Sequence, residues 1–195
     1  KERLISTYLC HPSMANNELS GPMLSSLLLK YFSKKKNKYS IRFIFIPETI
    51  GSIVYLNKNL KKLKRNFLCG YNLSCVGDGR AYSVVSSKYD NSMSDKYIDR
   101  SLKKMKINYK KYSFLERGSD ERQFNSPNID LPVVTFCRSK FGSFKEYHNS
   151  LDNFKLVTKK NIKDSFKVMR STIDLIMKSK RQVATKLCEP FLQKY

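Results

Sequence analysis

Apolar runs alternate with stretches whose apolar positions recur at helical spacing. Leu4-Ile5-Ser6-Thr7-Tyr8-Leu9-Cys10 reads as a buried strand that stops at His11-Pro12. A small polar loop is expected through Asn16 and Asn17 to Gly21-Pro22. A helix over 23–32 follows, with Leu24, Leu27, Leu28 and Tyr31 on one side. After a basic turn at 33–38, residues 39–46 predict a second strand with Arg42 near solvent, ending at Pro47-Glu48-Thr49-Ile50-Gly51-Ser52. Residues 53–63 predict a helix with a basic outer face at Lys58, Lys61, Lys62 and Lys64.

The second half repeats the alternation. Residues 67–76 predict a strand closed by a tight turn at Gly77-Asp78-Gly79, and residues 82–85 a fourth strand. Ser94 is expected to cap a helix over 95–106, with Asp95 in its first turn. A short strand at 111–115 leads into Gly118-Ser119-Asp120-Glu121, and 131–137 is an apolar, β-branched strand. Residues 161–179 form an amphipathic helix carrying Ile162, Phe166, Met169, Ile173, Ile176 and Met177 on one side. Strands alternating with helices predict an α/β domain with a mostly parallel sheet, without internal repeats.

Composition narrows this only slightly. The 195 residues suit one domain, and 41% hydrophobic with 12% aromatic residues argues against disorder. The 38 Lys and Arg against 16 Asp and Glu give +22, which attracts anions such as nucleic acid, anionic lipid or polyanionic glycan. The excess is mostly Lys in an Asn-, Ile- and Tyr-rich chain, a bias that an AT-rich genome also produces. No apolar run approaches the roughly 18 residues of a membrane span, and no signal peptide is visible. The five cysteines, Cys10, Cys69, Cys75, Cys137 and Cys188, form no CxxC; free buried thiols in a reducing, cytoplasmic setting are expected.

In open parallel sheets, ligands bind beyond the carboxyl ends of the strands. The first strand ends at His11 and the second at Glu48; two further loops carry Asp120-Glu121 and Tyr147-His148. Both histidines of the chain fall in such loops. Imidazole and carboxylate converging at one sheet edge point to a hydrolytic metal site. Taken singly, Glu48 also suits a helix cap, and Asp120, Glu121 and Asp152 also suit turns.

His11-Pro12-Ser13-Met14-Ala15-Asn16-Asn17-Glu18-Leu19-Ser20-Gly21 resembles the first metal motif of zinc aminopeptidases of the bacterial leucyl aminopeptidase and glutamate carboxypeptidase type. Pro47-Glu48-Thr49-Ile50-Gly51-Ser52 resembles the second. Gly118-Ser119-Asp120-Glu121-Arg122-Gln123-Phe124 and Tyr147-His148-Asn149-Ser150-Leu151-Asp152-Asn153 complete the order. The match is nearest to the aminopeptidase-like domain of bacterial proteins encoded among polysaccharide-biosynthesis genes. The resemblance implies a three-layer, zinc-exopeptidase-like fold. It also implies that residues 1–195 are the main part of that domain, a fragment of a longer protein. The inserted and C-terminal winged-helix-like domains of the family would lie outside this chain, with Cys188-Glu189-Pro190 leading onward.

The resemblance also implies roles. Zinc would be held by His11, Asp120 and His148, and Glu48 would be the general base. Asn17 stands where a metal-bridging Asp is usual, and Thr49 where a second Glu ligand is usual, so one ion is favoured over two. Glu18 or Glu121 is a possible substitute ligand, and Asp152 a possible acceptor orienting an imidazole. Arg122 and Arg138 are candidate clamps for a substrate carboxylate, and Tyr147 a candidate pocket wall.

The implied activity is hydrolysis of an amide bond in a peptide or small amide substrate. A noncatalytic binding domain is the alternative, motivated by Asn17 and Thr49. A nucleic-acid-binding protein is the second alternative, motivated by +22. Against it, the basic residues scatter over segments such as 34–36 and 61–65, and no RNP, KH, zinc-finger or helix-turn-helix pattern emerges.

Overall fold

A computed structural model describes residues 1–179. Its strands are β1 (Glu2–Leu9), β2 (Ser40–Pro47), β3 (Phe67–Leu73), β4 (Ser83–Val85), β5 (Lys110–Tyr112) and β6 (Val133–Cys137). Its helices are α1 (Ser20–Ser33), α2 (Ile50–Asn66), α3 (Met93–Lys104), α4 (Glu121–Phe124) and α5 (Lys159–Lys178). The strands form one sheet in the order β2-β1-β3-β6-β4-β5. Every pairing is parallel except β4 with β6.

Successive strand residues face opposite sides of a sheet. Leu4 and Val133 therefore join one core, with Ile44, Leu56, Leu63 and Phe124. Their neighbours Ile5 and Val134 join the other, with Leu24, Leu28, Ile98, Leu102, Met169 and Ile173. Helices α1, α3 and α5 supply the second core and α2 and α4 the first. Both faces are covered, which is why the central strands read as apolar runs. The α/β, mostly parallel, three-layer expectation holds.

The chain order positions the site. β2 and β3 lie on opposite edges of β1. Right-handed crossovers in opposite directions put α1 and α2 on opposite faces, so a crevice opens beyond the carboxyl end of β1. Cys10 and His11 are the next two residues. Gly21 lets α1 approach the sheet here: a Cβ on it would lie 2.4 Å from Leu73 O and 2.4 Å from Thr7 Oγ1.

Several boundaries differ from the sequence expectation, each for a local reason. The loop before α1 contains a π-helical turn (Ala15–Leu19), and α1 starts at Ser20, because Pro22 needs no N–H in a first turn. Helix α2 starts at Ile50, not 53. Ser92, not Ser94, caps α3: it accepts from Asp95 N–H, and the Asp95 carboxylate accepts from Ser92 N–H at 2.9 Å. Ser94 instead ties β3 to the loop before β6, accepting from Gly70 N–H and donating to Pro132 O. β3 ends at Leu73 and β5 at Tyr112, the latter followed by a 3₁₀ turn (Phe114–Glu116). Cys69, Cys75 and Cys137 are buried free thiols as expected, whereas Cys10 is exposed. Cys188 and the segment 188–190 lie outside the described residues. Among the described residues, no helix is long and apolar enough to cross a membrane.

Candidate metal centre

The first wall of the crevice is the end of β1 folded against the π-helical turn. Such turns leave an extra residue in the helical path and often mark functional sites. The turn is held from outside: Asp152 accepts Asn16 N–H at 2.6 Å and Asn17 N–H at 2.9 Å. This turns Glu18 back onto β1, where Oε2 accepts Cys10 N–H at 2.6 Å. Glu18 Oε1 accepts from Asn17 Nδ2 at 2.9 Å and lies 3.3 Å from His11 Nδ1.

The second wall carries Glu48. Pairing Leu9 with Pro47 brings Cys10 beside Glu48, whose carboxylate lies close to the Cys10 thiol. Thr49 has φ +61° and ψ −66°, and Ile50 N–H donates to Glu48 O at 2.6 Å. That is a γ-turn of the rare, strained kind, at a β-branched residue that avoids positive φ. Strain of this sort persists only when neighbours over-determine it. Here Asp120 Oδ1 accepts Thr49 N–H at 2.8 Å and Ser52 Oγ–H at 3.0 Å, and Arg122 donates to Thr49 Oγ1 at 2.9 Å.

Electrostatics sets this crevice apart in a +22 chain. Burial, with Glu48 and Glu18 close by, raises the Cys10 thiol to about 11. Burial pushes Asp120 up to about 6, against its hydrogen bonds from Thr49 and Ser52. The other oxygen, Asp120 Oδ2, is buried without a partner. Carboxylates gathered around a thiol favour a cation between them.

His148 closes the third side. Its ring centroid is 4.2 Å from that of His11 and 3.8 Å from that of Tyr147, on which it stacks. Desolvation and then His11 lower its pKa, against the pull of Glu48 and Glu18. That favours the neutral imidazole, the form that binds metals.

The remaining candidates are placed as follows. Asn17 is buried and committed: Oδ1 accepts from Tyr8 O–H at 3.1 Å and from the Cys75 thiol at 3.6 Å. Glu121 is fully buried and its oxygens are taken by Gly118 N–H, Ser119 N–H and Thr135 Oγ–H, so it has no free edge for a metal. Asp152 orients the π-helical turn, not an imidazole. Arg138 stacks on Tyr82 at 3.8 Å and donates to Ala81 O at 2.6 Å, so it is a buried brace, not a clamp. Arg122 is exposed beside Thr49, and Tyr147 packs among Cys75, Phe141 and Phe144 with its phenol pKa raised by burial.

Among the described residues, one group of His, Cys, Asp or Glu side chains brings three ligand atoms within 4.8 Å of one another: Cys10, His11 and Glu18. His11, Asp120 and His148 do not form such a group. Imidazole, carboxylate and thiol together suit a borderline-soft divalent ion. Sequence reasoning passed over Cys10, and its only signal was adjacency to His11.

Residues 1–179 match the family described as a domain of unknown function, DUF4910. The chain belongs to that family. A Clostridium acetobutylicum protein is 42% identical to this DUF4910 chain over 195 residues, 100% of the chain and 44% of its own length. Its provisional name is polysaccharide biosynthesis protein with aminopeptidase-like domain. A crystal structure from the same organism, provisionally called a peptidase, is 41% identical with TM-score 0.89, covering 99% of this chain and 46% of that one. BSAP, a zinc aminopeptidase from Bacillus subtilis, has TM-score 0.77 at 16% identity, covering 94% and 48%, and so shares the fold. The DUF4910 chain spans less than half the length of these relatives.

Proposed function

We propose that this chain is the peptidase-like domain of a longer protein, hydrolysing an amide bond of a peptide-like substrate with one zinc ion, in the service of polysaccharide biosynthesis. The observation that carries the reading is the meeting of His11, Glu18, His148 and Glu48 at the switch point of the sheet. The aminopeptidase-like relative and the shared fold of BSAP support it.

The ion would sit at the corner made by His11 and Glu18, with His148 beside it. When bound, zinc brings a water's pKa to roughly 7 and polarises a scissile carbonyl. Glu48 takes the proton of the attacking water on its carboxylate and passes it to the leaving amine. Asp120 keeps Glu48 aimed by fixing the strained turn at Thr49. Arg122, held by Thr49, meets a carboxylate or carbonyl of the substrate on the rim. Tyr147 backs the His148 ring and walls the pocket. Asn17 and Thr49 supply no carboxylate, so one ion is favoured over two.

The same two residues favour a second reading, a binding domain that has lost turnover: Asn17 is committed to Tyr8 and Cys75, and Thr49 to Arg122. One experiment separates the two. The full-length protein is supplied with zinc, its metal content is measured, and hydrolysis of aminoacyl amides and short peptides is followed beside Glu48→Gln. Turnover that falls by about 10²-fold or more at unchanged zinc content supports the hydrolase. Zinc bound without turnover on any such substrate favours the binding domain, and no zinc at all ends the metal reading.

A further inference from the structure

We infer that Cys10 is a metal ligand: its thiolate, with the His11 imidazole and the Glu18 carboxylate, forms a three-donor site for a thiophilic divalent cation. The inference rests on the zinc reading above and deepens it by naming the donor that replaces the missing carboxylates.

Three independent features carry it. The first is proximity: these ligand atoms lie within 4.8 Å of one another, and neither Asp120 nor His148 joins the group. The second is spacing. Ligands about 2.0–2.2 Å from a tetrahedral ion sit about 3.4 Å apart. His11 Nδ1 and Glu18 Oε1 are 3.3 Å apart, longer than the roughly 2.7–2.9 Å of a direct charge-assisted hydrogen bond. The third is rigidity. Cys10 and His11 are consecutive at the end of a doubly paired strand, and Glu18 is fastened by Cys10 N–H and by Asn17 Nδ2.

Charge completes the argument. A thiolate and a carboxylate neutralise a divalent ion, the balance that Asp at position 17 would otherwise supply. Binding exchanges the thiol proton for the metal: one S–H bond breaks, one S–metal bond forms, and one proton leaves to solvent. Glu48, beside the thiol, is the first acceptor on that path. Three protein donors would leave a fourth position for water or substrate, as catalytic zinc sites require.

The test uses reduced full-length protein, free of zinc, titrated with Co²⁺ and followed by the thiolate-to-metal charge-transfer band in the near ultraviolet. The expected result is one band saturating at one equivalent. It should vanish in Cys10→Ser, with affinity weakened about tenfold or more. Cys10→Asp should recover the affinity without the band. Thermal unfolding of the metal-free variants checks that both fold, as the exposure of Cys10 leads one to expect. Co²⁺ binding with no band, or with a band that survives in Cys10→Ser, overturns the Cys10 assignment and leaves the zinc reading intact. Failure of the unaltered protein to bind Co²⁺ or Zn²⁺ overturns both.

Discussion

Asp152 accepts the backbone N–H of Asn17 through Oδ2 at 2.9 Å, 135 residues away in sequence, while Oδ1 takes Asn16 N–H at 2.6 Å. These two bonds hold the π-helical turn that carries Glu18 and join the His148 loop to the end of β1. Asp152→Ala leaves two buried N–H groups without an acceptor. Hydrogen bonds to a charged group are worth about 1.5–3 kcal/mol each. Urea unfolding should therefore show a loss of about 3 kcal/mol, and zinc affinity should weaken about tenfold or more as an outer-shell effect. Unchanged zinc affinity would show that Glu18 keeps its place without this support.

Asp120 fixes the turn at Thr49, the residue after Glu48. Asp120→Ala removes the acceptor of Thr49 N–H and Ser52 Oγ–H, costing about 1–3 kcal/mol. The strained γ-turn should relax and Glu48 lose its aim. In steady-state kinetics kcat should fall while zinc content and KM stay near their starting values. A parallel loss of zinc would instead place Asp120 among the ligands.

Gly21 has no room for a side chain. A Cβ there would meet Leu73 O and Thr7 Oγ1, both at 2.4 Å, and Thr7 Oγ–H itself donates to Leu73 O at 3.0 Å. Gly21→Ala must push α1 off the sheet, at a cost of about 1–3 kcal/mol that outweighs the helix-propensity gain of Ala. Equilibrium denaturation measures this directly.

The far end of the sheet supplies a pH prediction. Arg42 grips Glu2 with Nε at 2.8 Å and a terminal nitrogen at 2.9 Å. That hydrogen bonding holds the Glu2 carboxyl below its ordinary 4.5, against the opposing effect of burial. The folded state then binds fewer protons than the unfolded state near pH 4, so the stabilisation is present above 4.5 and is lost as pH falls. Glu2→Gln should flatten that part of the acid limb and cost less than about 1 kcal/mol at pH 7, since part of the pair faces solvent.

Much of the layout was legible because it is local. Apolar runs such as 4–10 and 131–137 become strands, and the helical stripe from Ile162 to Ile176 faces the core. The strand ends just before His11 and Glu48, at Leu9 and Pro47, follow closely from where those runs stop. Element starts were less legible: Ser92 and Ser94 are two residues apart with the same chemistry, and only the register of Asp95 chooses between them.

The site residues divided along the same line. His11, Glu48 and His148 stand out as candidates because histidine and a strand-end carboxylate are scarce signals here. Glu18 and Glu121 could not be separated, since both follow a polar turn. In space one turns toward His11 and the other is consumed by Gly118, Ser119 and Thr135.

The sequence by itself determined the α/β alternation, the mostly parallel sheet and the loops that carry the candidate residues, because periodicity and chain punctuation are properties of neighbouring residues. Tertiary structure alone decided which donors meet. Asp120 became the anchor of Thr49, Arg138 a brace on Tyr82, and Cys10 a neighbour of Glu18 and Glu48. Those assignments depend on strand order and on hydrogen bonds between residues far apart in sequence, where side-chain type alone carries no distance.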